Sequence, residues 1–161
     1  MIISKYREER DTEGIIHIIS EEAVVCPICA GILKIIGSRS RGRIDNTGNK
    51  ETLIIRRLRC RPCRRIHHEL PDGVIPYKRH STETIEKIIS GDVDDVCCDL
   101  VTESRIRTWW AGMYMYFKNI LASLHMKYGE MFSSSPTPRE IVRAVVNANY
   151  WVHTRSAWMS G

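Results

Sequence analysis

Apolar positions change their period once along the chain, close to residue 77. Upstream, short apolar runs between turn residues predict strands. Residues 14–19 and 32–37 are two such runs. Residues 52–59 are a third, rich in β-branched side chains, and 66–70 a fourth. Asn46, Thr47, Gly48 and Asn49 supply turn chemistry between the second and third runs. The pattern predicts a small antiparallel sheet with the 14–19 strand at its edge. Residues 6–11 are charged without a clear period and predict no element. Residues 71–76 are turn-rich and mark a boundary, and 77–80 read as a basic linker.

Downstream the apolar spacing is helical. Ser81 or Thr82 caps a helix with Glu83 in its first turn, and Ile85, Ile88 and Ile89 form its apolar face. Ser90 and Gly91 end it. Ile106, Trp109, Trp110, Met113, Phe117, Ile120 and Leu124 recur in steps of three and four, which predicts one long helix. Tyr114 and Tyr116 widen its apolar face, which is first a core face and second a dimer seam. Residues 133–138 read as a loop. Pro138 opens a last helix with Ile141, Val142, Val145 and Val146 as its stripe. The aromatic residues of 149–158 pack on the long helix in this reading.

Four cysteines lie within the predicted sheet. Cys26 and Cys29 form one CxxC pair and Cys60 and Cys63 another, about thirty residues apart, the spacing of a four-cysteine zinc site. A closed S4 shell around one Zn2+ leaves no position for water, so the ion is structural. A thin sheet of this kind buries too little to fold without such a staple. Four buried thiols or two disulfides are the alternatives, and disulfides need an oxidising compartment. No stretch reads as an export signal or a membrane span, which predicts a reduced, cytoplasmic setting. His17, His67 and His68 are strand residues in this reading; His67 or His68 could replace a cysteine as ligand were the second turn distorted, but a four-cysteine site needs neither, and one of the two reaches a phosphate.

The net charge of +5 is unevenly placed. Between residues 34 and 65 basic residues crowd together, and Asp45 and Glu51 are the acids there. Arginine dominates, which suits phosphate recognition by a planar fork of donors. Such a surface is the footprint of a nucleic-acid binder, and a solvated strand face is its bland alternative. The candidate contacts are Arg39, Arg41, Arg43, Arg56, Arg57, Arg59, Lys78 and Arg79.

Residues 92–109 resemble the helix-turn-helix of many bacterial regulators and transposases. A short helix carries the small pair Cys97 and Cys98, a turn follows at 100–102, and Thr102 caps a recognition helix. The turn lacks the usual glycine and is one residue short. The resemblance implies that Ser104, Arg105, Arg107 and Thr108 reach base edges in the major groove.

The CPIC, RRLRCRPCRRIHHELP, IPYKRHS and WVHTRSAW segments resemble an uncharacterised bacterial family that joins a zinc ribbon to a helix-turn-helix and is transposase-like or mobile-element-associated. The resemblance implies DNA binding, and the protein would be nucleoid-associated when bound. The expected fold is α+β: a four-cysteine zinc ribbon over 1–76, then an all-α domain over 77–161. That domain holds a helix-turn-helix at about 82–127 and a C-terminal helix. No catalytic constellation is visible, and Asp92, Asp94, Asp95 and Asp99 read as one solvated helix face. The expected function is a non-enzymatic, zinc-stabilised binder of double-stranded DNA, a regulator or accessory factor of a mobile genetic element. Homodimerisation through the long helix and a recombinase or polymerase partner are compatible with it. A protein-interaction adaptor for such a partner, or a binder of RNA or single strands, is the alternative.

Overall fold

A computed structural model describes residues 1–129 and 135–152. The expected loop at 133–134 and the WVHTRSAW segment from residue 153 onward lie outside the described residues. The described chain is α+β, with seven strands followed by three helices.

The sheet is built on one long hairpin, β4 (Leu33–Ile44) and β5 (Lys50–Cys60). They pair antiparallel from Leu33 opposite Cys60 to Ile44 opposite Lys50. The turn between them is organised by Asp45, whose carboxylate accepts the Asn49 N–H and the Thr47 hydroxyl at 2.8 Å each. β4 thus runs well past residue 37, because β5 supplies backbone partners to its polar half. On the other edge of β5, β3 (Ile16–Ser20) pairs parallel at Leu53 and Ile54, and β6 (Ile66–His68) pairs antiparallel at 57–59. The charged segment that predicts no element forms β2 (Tyr6–Arg10), antiparallel to β3. Pairing satisfies its backbone, while its charged side chains face water and discourage further strand addition.

Two short strands tie this sheet to the helices. β1 (Ile2–Ile3) runs parallel to β7 (Leu70–Pro71). Successive side chains on a strand point to opposite faces. Ile3 therefore joins Ile16, Ile18, Leu53, Ile55 and Val74 in the sheet core. Ile2 instead joins the core of the helices. Leu70 packs against both. β5 divides its own faces in the same manner. Leu53 and Ile55 bury on one face, and Leu58 and Cys60, on the other parity, bury towards the cysteines.

α1 (Thr82–Ser90) starts where Ser81 Oγ accepts the Thr84 N–H, and Gly91 ends it at φ 90°. α2 (Leu100–Tyr128) is 29 residues long. α3 (Pro138–Asn147) opens with a reciprocal Thr137–Glu140 capping box and Pro138 in its first turn. Ile85, Ile88, Trp110, Met113, Phe117 and Val145 are buried where the three helices meet. Asn147 clamps the first strand, accepting the Ile2 N–H at 2.7 Å and donating to the Ile2 carbonyl at 2.8 Å.

The region between α1 and α2 departs from expectation. The short helix carrying Cys97 and Cys98 does not form; residues 92–99 are turns and irregular backbone. The Cys97 N–H is taken instead by the Asn46 carbonyl at 2.7 Å, docking the connection on the hairpin tip. The cap of α2 is Asp99, not Thr102: its carboxylate accepts the Thr102 N–H at 2.8 Å and hydroxyl at 2.7 Å. A carboxylate beside the positive helix end outcompetes a cap three residues later.

Candidate metal centre and basic face

Each CxxC pair sits in a turn of the same design. The Cys26 N–H donates to the Gly31 carbonyl at 3.0 Å, and the Cys60 N–H to the Arg65 carbonyl at 2.9 Å. In both turns the residue after the second cysteine, Ala30 or Arg64, is left-handed, with φ of 54° and 60°. That reversal folds each pair of sulfurs towards one point. The turns also hold each other, since the Arg61 N–H donates to the Ile32 carbonyl at 3.1 Å. Gly31 has no room for a side chain, because an added Cβ would lie 2.7 Å from Pro62 Cγ and 3.1 Å from Cys60 Sγ.

The four Sγ atoms lie within 4.8 Å of one another. Cys26 and Cys63 are 3.6 Å apart, and Cys29 and Cys60 3.5 Å. A tetrahedron with metal–sulfur bonds of about 2.3 Å has edges of about 3.8 Å, so four cysteines at these separations could hold one metal ion. Burial pushes the Cys26 thiol up, but the N–H groups of Ile28 and Cys29 and the neighbouring thiols outweigh it and bring it down to about 7. Burial pushes Cys60 up to about 12. A bound dication would stabilise thiolates at this centre against the cost of burial.

His67, read from the sequence as a strand residue, lies beside this centre. Its Nε2 lies 3.3 Å from Cys26 Sγ. Burial, then the N-terminal amino group and Arg65, lowers its pKa, which favours the neutral ring. With the proton on Nε2 it donates to the sulfur, the type of contact that steadies a ligand and offsets its charge. Strand pairing brings it there: His67 lies opposite Leu58 on β5, on the face that Cys60 shares.

The basic candidates separate into two groups. Arg43 bridges Glu8 at 2.7 Å and Glu51 at 2.8 Å. Arg56 pairs bidentately with the buried Glu69 at 2.6 and 2.7 Å. Arg41 donates to the Lys78 carbonyl at 2.6 Å. Lys78 Nζ lies 3.8 Å from the centre of the Trp109 ring, and burial pulls it down to about 8. These four act inside the fold.

The others share a surface. Directly opposite residues of an antiparallel pair point to the same face. Arg59 lies opposite Lys34 and Ile66, and Arg57 opposite Gly37 and His68. Arg39 lies opposite Ile55, one step further along that face. Lys34, Arg39, Arg57 and Arg59 have no ion-pair partner among the described residues. Burial, Arg39 and Arg57 together lower the pKa of His68, a sign of the positive potential there.

Arg79 is exposed, and its carbonyl accepts the Ile44 N–H. Ser104, Arg105, Arg107 and Thr108 are exposed on the first turns of α2. They are flanked by Asp99 and Glu103, so this end of α2 is of mixed charge. Among the described residues no helix is long and apolar enough to cross a membrane.

A family model described as a domain of unknown function (DUF6431) matches residues 26–109, from the first cysteine of the cluster into α2. No curated protein and no solved structure matches the chain.

Proposed function

From a chain that belongs to the DUF6431 family, whose description assigns no activity, we propose a function carried by its own residues. It is a non-enzymatic protein that holds one structural zinc ion in its cysteine cluster. It binds double-stranded DNA through the basic face of the sheet. The observation that supports this reading is the set Lys34, Arg39, Arg57 and Arg59, gathered on one face with no ion-pair partner among the described residues. This cationic face meets phosphates, and the metal fixes the two turns that bracket it. Thiolate ligands alone favour zinc over harder divalent ions. The resemblance of its motifs gives it the role of a regulator or accessory factor of a mobile element.

Reading of bases by α2 receives less support than the sheet face. A helix-turn-helix joins its helices by a turn of three or four residues, whereas residues 91–99 connect α1 to α2. Asp99 and Glu103 at the start of α2 also repel phosphate.

The test titrates a labelled duplex with wild type and with an Arg39, Arg57 and Arg59→Gln triple variant, from 50 to 200 mM salt. The slope of log affinity against log salt should fall by about 0.9 for each phosphate that is no longer neutralised. Metal analysis should give one zinc per chain. An unchanged salt slope, or protein that folds without metal, overturns the proposal.

A further inference from the structure

The register of the hairpin carries the basic face inward. Arg39 lies opposite Ile55 and Arg41 opposite Leu53, so both arginines stand on the face that Arg57 and Arg59 share. Leu53 and Ile55 are buried in the sheet core, and the exposed strip of charge therefore passes into the interior at these two positions. A cavity of about 520 Å³ opens there, with Arg39, Arg41, His68, Tyr77 and Trp151 in its walls. That volume lies within the ~300–1,000 Å³ of small-molecule sites.

The walls carry positive charge without a counter-charge. Arg39 is exposed and Arg41 half-buried, and neither has an ion-pair partner among the described residues. Arg41 donates from Nη2 to the Lys78 carbonyl at 2.6 Å, while its buried Nε has no partner there. Trp151 Nε1 is buried and unpartnered in the same way. Burial, and then the charge of Arg39, lowers the pKa of Arg41. A half-buried guanidinium with no counter-ion is costly, and an anion in the cavity relieves that cost. No aspartate or glutamate lines this cavity. Three further cavities include a carboxylate, from Asp99, Glu51 and Glu140 respectively.

We propose that this cavity takes one nucleotide by its terminal phosphate. Guanidinium groups from Arg39 and Arg41 suit phosphate oxygens, and a terminal phosphate carries more charge than the diester links of a strand. Tyr77 and Trp151 give the base an aromatic wall, a contact that tolerates any base. The nucleotide is either a free one or the phosphorylated end of a bound strand. The second source rests on the DNA-binding reading, and the first does not.

Calorimetric titration of the full chain with deoxyadenosine 5′-monophosphate, at about 50 mM salt, tests the site. One molecule should bind per chain, and deoxyadenosine, which lacks the phosphate, should bind at least about tenfold more weakly. Arg41→Gln should weaken the monophosphate about tenfold. Tyr77→Ala changes an exposed ring and should weaken it about fivefold, so the result does not hang on the folding of one variant. The source is read from duplexes with short overhangs, with and without terminal phosphates. Tighter binding of the phosphorylated duplex assigns the site to strand ends, and equal binding assigns it to the free nucleotide. Arg41→Gln should leave the salt slope of a blunt, unphosphorylated duplex at its wild-type value. The proposal is overturned by a monophosphate that does not bind, that binds no better than deoxyadenosine, or that both variants bind as wild type does. Duplex binding with its full salt slope would survive any of these results. A chain that binds the monophosphate but no duplex overturns the DNA-binding reading instead and leaves the cavity its ligand.

Discussion

Replacing Arg56 by alanine separates the arginines that hold the fold from those that face outward. Glu69 is 1 % exposed, and the Arg56 side chain 32 %. The guanidinium spans both carboxylate oxygens, and the Glu69 N–H also donates to the Arg56 carbonyl at 3.0 Å. Removing one member of a buried pair leaves an uncompensated charge and costs about 3–5 kcal/mol. Water reaches one side of Arg56, which places the loss at the low end, about 3 kcal/mol. For a chain of this size 1 kcal/mol shifts Tm by about 2–4 °C, so Tm should fall by about 6–12 °C. Thermal unfolding followed by circular dichroism measures it. The Arg56→Leu/Glu69→Leu double variant should recover most of the loss, since an apolar pair carries no desolvation penalty. Arg57→Ala, one residue along, should change stability by under about 0.5 kcal/mol while weakening DNA binding. If Arg56→Ala cost less than about 1 kcal/mol, or Arg57→Ala cost as much, the structural role of this pair would be refuted.

Two further outcomes follow from the metal centre. Gly31→Ala forces a methyl group against Pro62, so the two turns must separate; stability should fall by about 1–3 kcal/mol, and a competition assay with a chelator should show faster metal release. His67→Phe keeps an aromatic ring, a slightly larger one, and removes the donor to Cys26, so zinc affinity should fall about 10–100-fold with the helical circular dichroism signal unchanged; equal affinity would show the contact to be incidental.

Much of this architecture was legible in local sequence. The cysteine pairs, the Asn–Thr–Gly–Asn turn, the Ser81 cap and the Pro138 start are short-range signals, and each chain segment needs only its neighbours to obey them. Contacts between distant residues were not legible. Arg43 and Arg56 read as phosphate ligands because Glu8, Glu51 and Glu69 meet them only after the sheet pairs. β2 has no apolar alternation, since an edge strand exposed on both faces needs none. The run 92–98 carries a helical spacing of acids, yet its backbone is claimed by the hairpin tip. His67 needed the register of β6 on β5, which no spacing in the sequence reveals.

The clamp between Asn147 and Ile2 bears on the order in which the molecule is made. All six buried residues of the sheet core lie within the first 74 positions, so that core can close early. Ile2 waits for a side chain 145 positions later. At roughly 5–20 residues per second, that interval is about 7–30 s of synthesis. β7 is complete at residue 71, 76 positions before Asn147, so for about 4–15 s of that interval β1 has β7 but not the α3 side chain that clamps it. The nascent chain therefore passes through a state with a finished sheet core and an open seat at β1, which closes only when α3 arrives.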